Sequence, residues 1–172
     1  MILPIVAYGH PVLRKVADEI GPDYPDLPKF IEDMWETMYA SNGVGLAAPQ
    51  VNRGIRLFVV DSTQIFEGME EDEKKQFADN PGIKRVFINA VVEDVDGEEW
   101  AYNEGCLSIP NFNATVARPA RAVVRGLNRD GIEQQRVLRE QHPADRSGAV
   151  VAGEGQEVTA LAGVGAGHER AK

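Results

Sequence analysis

Two short stretches of this sequence combine residue types that could support chemistry. The first is 43-GVGLAAPQ-50, which carries no charge and is poor material for either a helix or a buried strand. Small residues let a backbone approach another chain closely, and the side-chain amide of Gln50 can both donate and accept hydrogen bonds. We therefore expect a function that uses bare backbone and one well-placed amide.

The second stretch is 103-NEGCLSIP-110, which contains Cys106, the single cysteine of the chain. A lone cysteine is most often a small buried side chain. Here it follows Gly105 in a polar stretch between two candidate strands, a setting that also suits a metal ligand or a nucleophile. On the residues alone, both interpretations remain open.

Composition limits the class of protein. The chain has 172 residues and a formal net charge of −9, with 43% hydrophobic and 26% charged residues, so one globular domain with a real core is expected. The acidic balance argues against a nucleic-acid or membrane-surface partner. One cysteine cannot form an internal disulfide, and neither a signal peptide nor an apolar run of membrane-spanning length is visible. These features predict a cytoplasmic protein.

Elements that position the two stretches can be read from periodicity. Apolar residues recur at spacings of three and four over residues 27–38, which predicts an amphipathic helix that Asn42-Gly43 ends as a glycine cap. Strands are predicted over 55–60, 86–92 and 115–127 from their β-branched content. The expected fold class is α+β, with N-terminal helices packed on antiparallel sheets.

Four further local features are predicted. A short helix is expected over 11–17, with Pro11 in its first turn. Asp96-Gly97 is a turn signal after which residues 98–102 return antiparallel, and Asp130-Gly131 is a second turn. Pro119 is expected at a bulge or a sheet edge, because proline cannot donate to a strand ladder.

The end of the chain differs from the rest. Residues 147–172 contain 6 Gly and 6 Ala in 26 positions and no aromatic residue. Such a segment has little to bury and a high entropic cost of ordering. We therefore divide the chain into a domain over 1–146 and an Ala/Gly-rich tail over 147–172, which we expect to be poorly packed or disordered.

Taken together, GVGLAAPQ and EGCLS resemble two of the three signature motifs of the peptide deformylases, in the same order and at similar spacing. The opening 9-GHPVLRKVA-17 is similar to the first helix of that family, and Val116-Ala117-Arg118 follows the cysteine motif as it does in the family. The resemblance covers roughly residues 1–131. It implies removal of the formyl group from the formylmethionyl N-termini of nascent peptides, at the ribosome, and hence a role in translation.

The resemblance also implies a cofactor and site residues. The family uses a divalent metal, Fe²⁺ or a substitute such as Zn²⁺ or Ni²⁺, which lowers the pKa of a water whose hydroxide attacks the formyl carbonyl. Cys106 would be the thiolate ligand of that metal. The oxyanion that develops would be stabilised by the backbone N–H of Leu107 and the side-chain amide of Gln50.

The substrate would lie as an added strand along the backbone of Val44 and Gly45. By the same resemblance, Glu104 and Gly105 border the pocket for the methionine side chain. Arg118 is either structural or near the substrate entrance, and a solvated strand arginine is the alternative.

The third family motif, H-E-x-x-H on a C-terminal helix, is not found in this sequence. The nearest match is 141-QHPADR-146, in which His142 fits a metal ligand, Pro143 stands where the family has its catalytic glutamate, and Arg146 stands where it has its second histidine. Proline has no carboxylate to move a proton, and arginine cannot ligate a cation. We therefore expect impaired hydrolysis. The alternative is a non-catalytic relative that binds N-terminal peptides without cleaving them.

Overall fold

The computed structural model describes residues 1–76, 78 and 81–139. Within them, five strands form one antiparallel sheet in the order β1-β2-β3-β4-β5. The strands are β1 (Gly45–Ala47), β2 (Leu57–Asp61), β3 (Lys84–Cys106), β4 (Ile109–Leu127) and β5 (Glu133–Arg139). The helices are α1 (Leu27–Ala40), α2 (Thr63–Glu67) and α3 (Glu71–Gln76), with 3-10 turns at Pro11–Arg14 and Ala48–Val51. The predicted α+β class is confirmed.

Helix α1 ends differently from the predicted glycine cap. The residue in the left-handed conformation is Asn42, with φ +53, and not Gly43. The Gly43 N–H donates to the Met38 carbonyl and the Asn42 N–H to the Tyr39 carbonyl, which is the double hydrogen bond of a Schellman motif. Asparagine tolerates this conformation because its short polar side chain can bond locally. Gly43 is therefore not needed for the left-handed cap, and its lack of a side chain matters instead at its contact with Leu107.

Strand β2 holds the core together because all five of its residues are buried. Leu57 and Val59 belong to the same apolar cluster as the buried residues of α1. Phe58 and Val60 point to the other face, where the Phe58 ring stacks on Phe87 with centroids 4.9 Å apart. A strand buried on both faces fixes the short β1 beside it, since β1 pairs only with β2 among the described strands.

Strands β3 and β4 form one long hairpin, so the turn predicted at Asp96-Gly97 is wrong. The chain runs straight through these residues, and the pairing register shifts between Asp96 and Glu99. Gly97 has φ +86, as expected for the glycine of a β-bulge, and Pro119 lies opposite Glu99 beside that irregularity. The turn signal therefore marks a bulge, and the prediction that Pro119 lies at one is confirmed. The real turn of the hairpin is Leu107-Ser108, between Cys106 and Ile109.

Other expectations have mixed outcomes. The helix predicted over 11–17 is only a 3-10 turn over Pro11–Arg14, and β5 was not predicted. The turn at Asp130-Gly131 is confirmed, with Gly131 at φ +74 and its N–H bonded to the Asn128 carbonyl. No helix in the described part of the chain is long and apolar enough to cross a membrane. The proposed boundary at residue 146 and the predicted tail over 147–172 lie outside the described residues.

Candidate functional site

Gln50 is held by the local fold of its own motif. It is buried, at 2% exposure, and is the third residue of the 3-10 turn that follows β1. Its Oε1 accepts a hydrogen bond of 2.9 Å from the backbone N–H of Ala47. Because the amide oxygen is committed to that donor, the NH₂ group must point the other way. The orientation of the amide therefore follows from the backbone.

The NH₂ group of Gln50 points at the second motif. Its Nε2 lies 3.8 Å from the Sγ of Cys106 and 3.4 Å from the Oγ of Ser108. Cys106 is 9% exposed and Ser108 is 3% exposed, so the contact is shielded from solvent. Two stretches separated by about 55 residues thus meet at one thiol, one amide and one hydroxyl, although the chemical roles of Gln50 and Cys106 remain predictions.

Strand β1 is the edge strand of the sheet formed by the described residues, and its three residues are buried. The Asp61 N–H donates to the Val44 carbonyl at 2.8 Å, and Gly45 lies opposite Val60 in the register. Because hydrogen-bonded and non-bonded pairs alternate in an antiparallel ladder, the N–H and C=O of Gly45 point away from β2. Among the described strands none covers that side. The backbone of Gly45 is therefore directed where an added strand could pair.

Gly43 explains the small residue at the start of the motif. A Cβ at this position would lie 2.8 Å from the Cδ1 of Leu107 and 3.3 Å from the Met38 carbonyl oxygen. The absence of a side chain thus lets the Leu107 side chain pack directly on the end of α1. Within the residues that the structure describes, the Leu107 N–H donates to no acceptor. A donor of that kind beside Cys106 is available to a ligand.

Glu104 and Arg118 form a largely buried, bidentate ion pair across the hairpin. The Arg118 Nε donates to Oε1 at 2.8 Å and its terminal nitrogen donates to Oε2 at 2.7 Å. The side chains are 8% and 16% exposed for Glu104 and Arg118 respectively. Of the roles considered for Arg118, the structure supports the structural one and contradicts a solvated arginine. Gly105 follows Glu104 directly and is buried opposite Asn113.

Among the described residues, the site offers one metal ligand and not a complete coordination shell. Cys106 offers a thiol, yet no group of three or more His, Cys, Asp or Glu residues that could hold a metal occurs among the described residues. His10 is used elsewhere, since its Nδ1 accepts from the Val12 N–H at 3.3 Å as the cap of a 3-10 turn. His142, the other predicted ligand, lies outside the described residues.

A polar cluster that the sequence did not reveal lies at the end of β2, next to the start of β1. The Tyr39 hydroxyl donates to the Oδ2 of buried Asp61 at 2.6 Å, and Lys84 lies over the rings of Trp35 and Tyr39, 5.2 Å from each centroid. Burial, followed by the hydrogen bond to Asp61, raises the pKa of Tyr39. Its bond to Tyr39 raises the pKa of Lys84. Because the Asp61 N–H donates to the Val44 carbonyl, this cluster anchors the start of β1.

Sequence comparison identifies the family of this chain. The profile of the polypeptide deformylase family matches residues 2–143. A peptide deformylase of Flavobacterium johnsoniae is 50% identical over 140 residues, which cover 80% of this chain and 70% of that protein. One from Christiangramia forsetii is 50% identical over 120 residues, covering 69% of this chain and 60% of that protein. The chain thus spans 60% to 70% of these relatives.

Structural comparison points the same way. The peptide deformylase of Thermotoga maritima aligns with a TM-score of 0.67 at 33% identity, covering 85% of this chain and 91% of that one. A peptide deformylase from Synechococcus elongatus, solved in complex with actinonin, aligns with a TM-score of 0.66 at 31% identity, covering 81% and 66%. The fold and the paired motifs define a mixed helix and sheet domain of the deformylase type. This chain belongs to the polypeptide deformylase family, which is a family of metal-dependent hydrolases that process protein N-termini.

Proposed function

We propose that this chain binds the formylmethionyl N-terminus of nascent peptides and hydrolyses its formyl group with a divalent metal. One observation carries the proposal: the Gln50 amide, oriented by the Ala47 N–H, reaches the buried Cys106 thiol. Hydrolysis of a small amide develops negative charge on the carbonyl oxygen, so it benefits from a hydrogen-bond donor that is already in place. The Gln50 amide would be that donor, beside a thiol that could bind the metal.

The described residues would supply the substrate side of this role. The edge of β1 at Gly45, which no described strand pairs with, would bind the extended peptide. The Leu107 N–H and the Gln50 NH₂ would donate to the formyl oxygen, and Gly105 would line the methionine pocket. Glu104 would act there through its pair with Arg118, since both of its carboxylate oxygens are already engaged.

On the metal side, Cys106 would be one ligand and His142 a second. When bound, an Fe²⁺, Zn²⁺ or Ni²⁺ ion would supply a Lewis acid and an activated water. With Pro143 and Arg146 in place of the family's glutamate and second histidine, we propose that hydrolysis is weaker than in relatives with the full motif. We also propose that the protein works in the cytoplasm, where the formylated N-termini of nascent peptides arise.

The test is formate release from formyl-Met-Ala-Ser by the purified chain under reducing, anaerobic conditions, with bound metal quantified in the same sample. We expect Cys106→Ser to abolish metal binding. We expect Gln50→Leu to retain the metal and to lower kcat by about 10²–10³-fold, the usual effect of losing one such donor. Unformylated Met-Ala-Ser is the matched control ligand, because it lacks the formyl oxygen.

The substitutions at Pro143 and Arg146 favour one second candidate, a non-catalytic relative that binds N-terminal peptides. That candidate predicts saturable binding of the formylated peptide with formate release at background, whichever metal is supplied. If neither binding nor release is observed, both candidates are wrong.

A further inference from the structure

The segment Val6–Tyr8, here called the strap, touches both halves of the site through its main chain. The Val6 N–H donates to the Gln50 carbonyl at 2.9 Å, and the Tyr8 N–H donates to the Ser108 carbonyl at 2.8 Å. Alternate N–H groups of an extended chain point to the same side, so one short segment can bond two neighbours at once. The strap therefore joins the stretch that ends at Gln50 to the turn that follows Cys106.

The strap matters because little else of the backbone connects these two stretches. Strand β1 pairs with β2, and β3 pairs with β2 only over Lys84–Ile88, far along the chain from Cys106. Among the described residues, no main-chain hydrogen bond runs directly from Ala48–Val51 to Cys106–Ile109. The direct contacts are between side chains: the Gln50 Nε2 lies 3.8 Å from the Cys106 Sγ and 3.4 Å from the Ser108 Oγ.

We propose that the strap sets the separation between the Gln50 amide and the Cys106 thiol, which makes Val6 and Tyr8 main-chain positioning residues of the site. Its consequence for catalysis rests on the proposed function. The positional claim itself does not, because it concerns two groups that are present without any metal or peptide.

The local turn provides a clean way to remove one bond of the strap. The His10 N–H donates to the Ala7 carbonyl at 3.1 Å, and Gly9 has φ +98, while Tyr8 is not in the positive-φ region. This combination defines a type II turn with Tyr8 at its second position, where proline is favoured. The Tyr8 side chain is 73% exposed. Tyr8→Pro therefore suits the turn but removes the N–H that bonds Ser108.

The matched control is Tyr8→Ala, which loses the exposed ring and keeps the N–H. Cys106 serves as the reporter, because it is the single cysteine of the chain and is 9% exposed. The rate at which an aromatic disulfide reagent labels its thiol measures how often the site opens. The full chain is used, with a chelator in every sample so that no metal protects the thiol, and stability is measured in parallel by guanidinium unfolding.

We expect Tyr8→Pro to label about tenfold faster than wild type, equivalent to about 1.4 kcal/mol of easier opening. Tyr8→Ala should stay within about twofold, as exposed substitutions usually do. The unfolding free energy of Tyr8→Pro should fall by less than the labelling change implies. If the opening free energy obtained from labelling and the global unfolding free energy fall by equal amounts, Tyr8 is merely structural. If the labelling rate is unchanged, the strap does not hold the site.

A measurement on the unaltered chain covers the case in which Tyr8→Pro does not fold. Hydrogen exchange of the Val6 and Tyr8 amides should give the same opening free energy as labelling of Cys106, because one event exposes all three groups. Exchange of the Tyr8 amide far faster than thiol labelling would overturn the proposal. Neither readout needs turnover, so a chain that releases no formate can still support the strap, and an active enzyme can still refute it.

Discussion

The ion pair between Glu104 and Arg118 allows a sharp test of how the hairpin presents its cysteine. We consider Arg118→Met, which keeps much of the aliphatic volume and removes the guanidinium. Glu104 would then be a carboxylate at 8% side-chain exposure that has lost both of its hydrogen bonds from Arg118. A buried charge without a partner is among the most costly single defects in a folded protein.

The magnitude follows from burial. Removing one partner of a buried pair typically costs about 3–5 kcal/mol. The same hairpin offers a matched exposed pair, Arg121 with Asp94, whose side chains are 36% and 58% exposed and whose terminal nitrogen and Oδ2 are 2.6 Å apart. Exposed pairs are usually worth about 0.2–1 kcal/mol. Arg118→Met should therefore destabilise the fold several times more than Arg121→Met.

Guanidinium unfolding of the two variants and the wild type measures this difference. A double variant, Glu104→Leu with Arg118→Met, should recover most of the lost stability, because apolar groups replacing both partners leave no charge unpaired. Equal losses for Arg118→Met and Arg121→Met would refute the assignment of Glu104 and Arg118 as a buried structural pair. A double variant as unstable as Arg118→Met alone would show that packing, and not the unpaired carboxylate, carries the effect.

Two other perturbations follow from backbone and charge. Gly97→Ala should cost more stability than Gly131→Ala in guanidinium unfolding, because both glycines have positive φ but only a Cβ at Gly97 would meet another atom, the Ala120 Cβ at 2.7 Å; equal costs would contradict the bulge packing. Since the folded-state pKa of Tyr39 is raised, its contribution is fully present below the unfolded value of about 10 and is lost as pH rises through the folded value. Tyr39→Phe should therefore flatten the alkaline loss of stability above about pH 10, and an unchanged slope would exclude a role for the hydrogen bond to Asp61.

Much of the fold was predictable because its signals are local. The period of the apolar residues gave α1, and β-branched runs gave β2 and the core ends of β3 and β4. Asp96-Gly97 misled because the same dipeptide suits a tight turn and a bulge, and only the partner strand distinguishes them. The end of α1 misled for a related reason: Asn42 and Gly43 can both adopt the left-handed conformation, and in the structure it is Asn42 that does.

The site was predictable only in part. The two motifs named Gln50 and Cys106, whereas Ser108 carried no separate signal, because a serine within EGCLS looks like any polar loop residue. Asp61 has a local partner in Thr63, but Tyr39 and Lys84 come from α1 and β3, at sequence separations that no local pattern reveals. The strap was equally invisible, since its contacts are made by main-chain N–H groups that every residue except proline possesses.

Under the proposed function, recognition and hydrolysis would depend on different parts of this chain. Gln50 is oriented by Ala47 and lies against Cys106, and Gly45 faces the side of β1 that no described strand pairs with; every one of these relations lies within residues 1–139. The substitutions that distinguish the sequence from the family pattern lie at Pro143 and Arg146. Because pre-organised donors need no metal to keep their geometry, peptide affinity should be the property that survives loss of the metal, and turnover the one that does not.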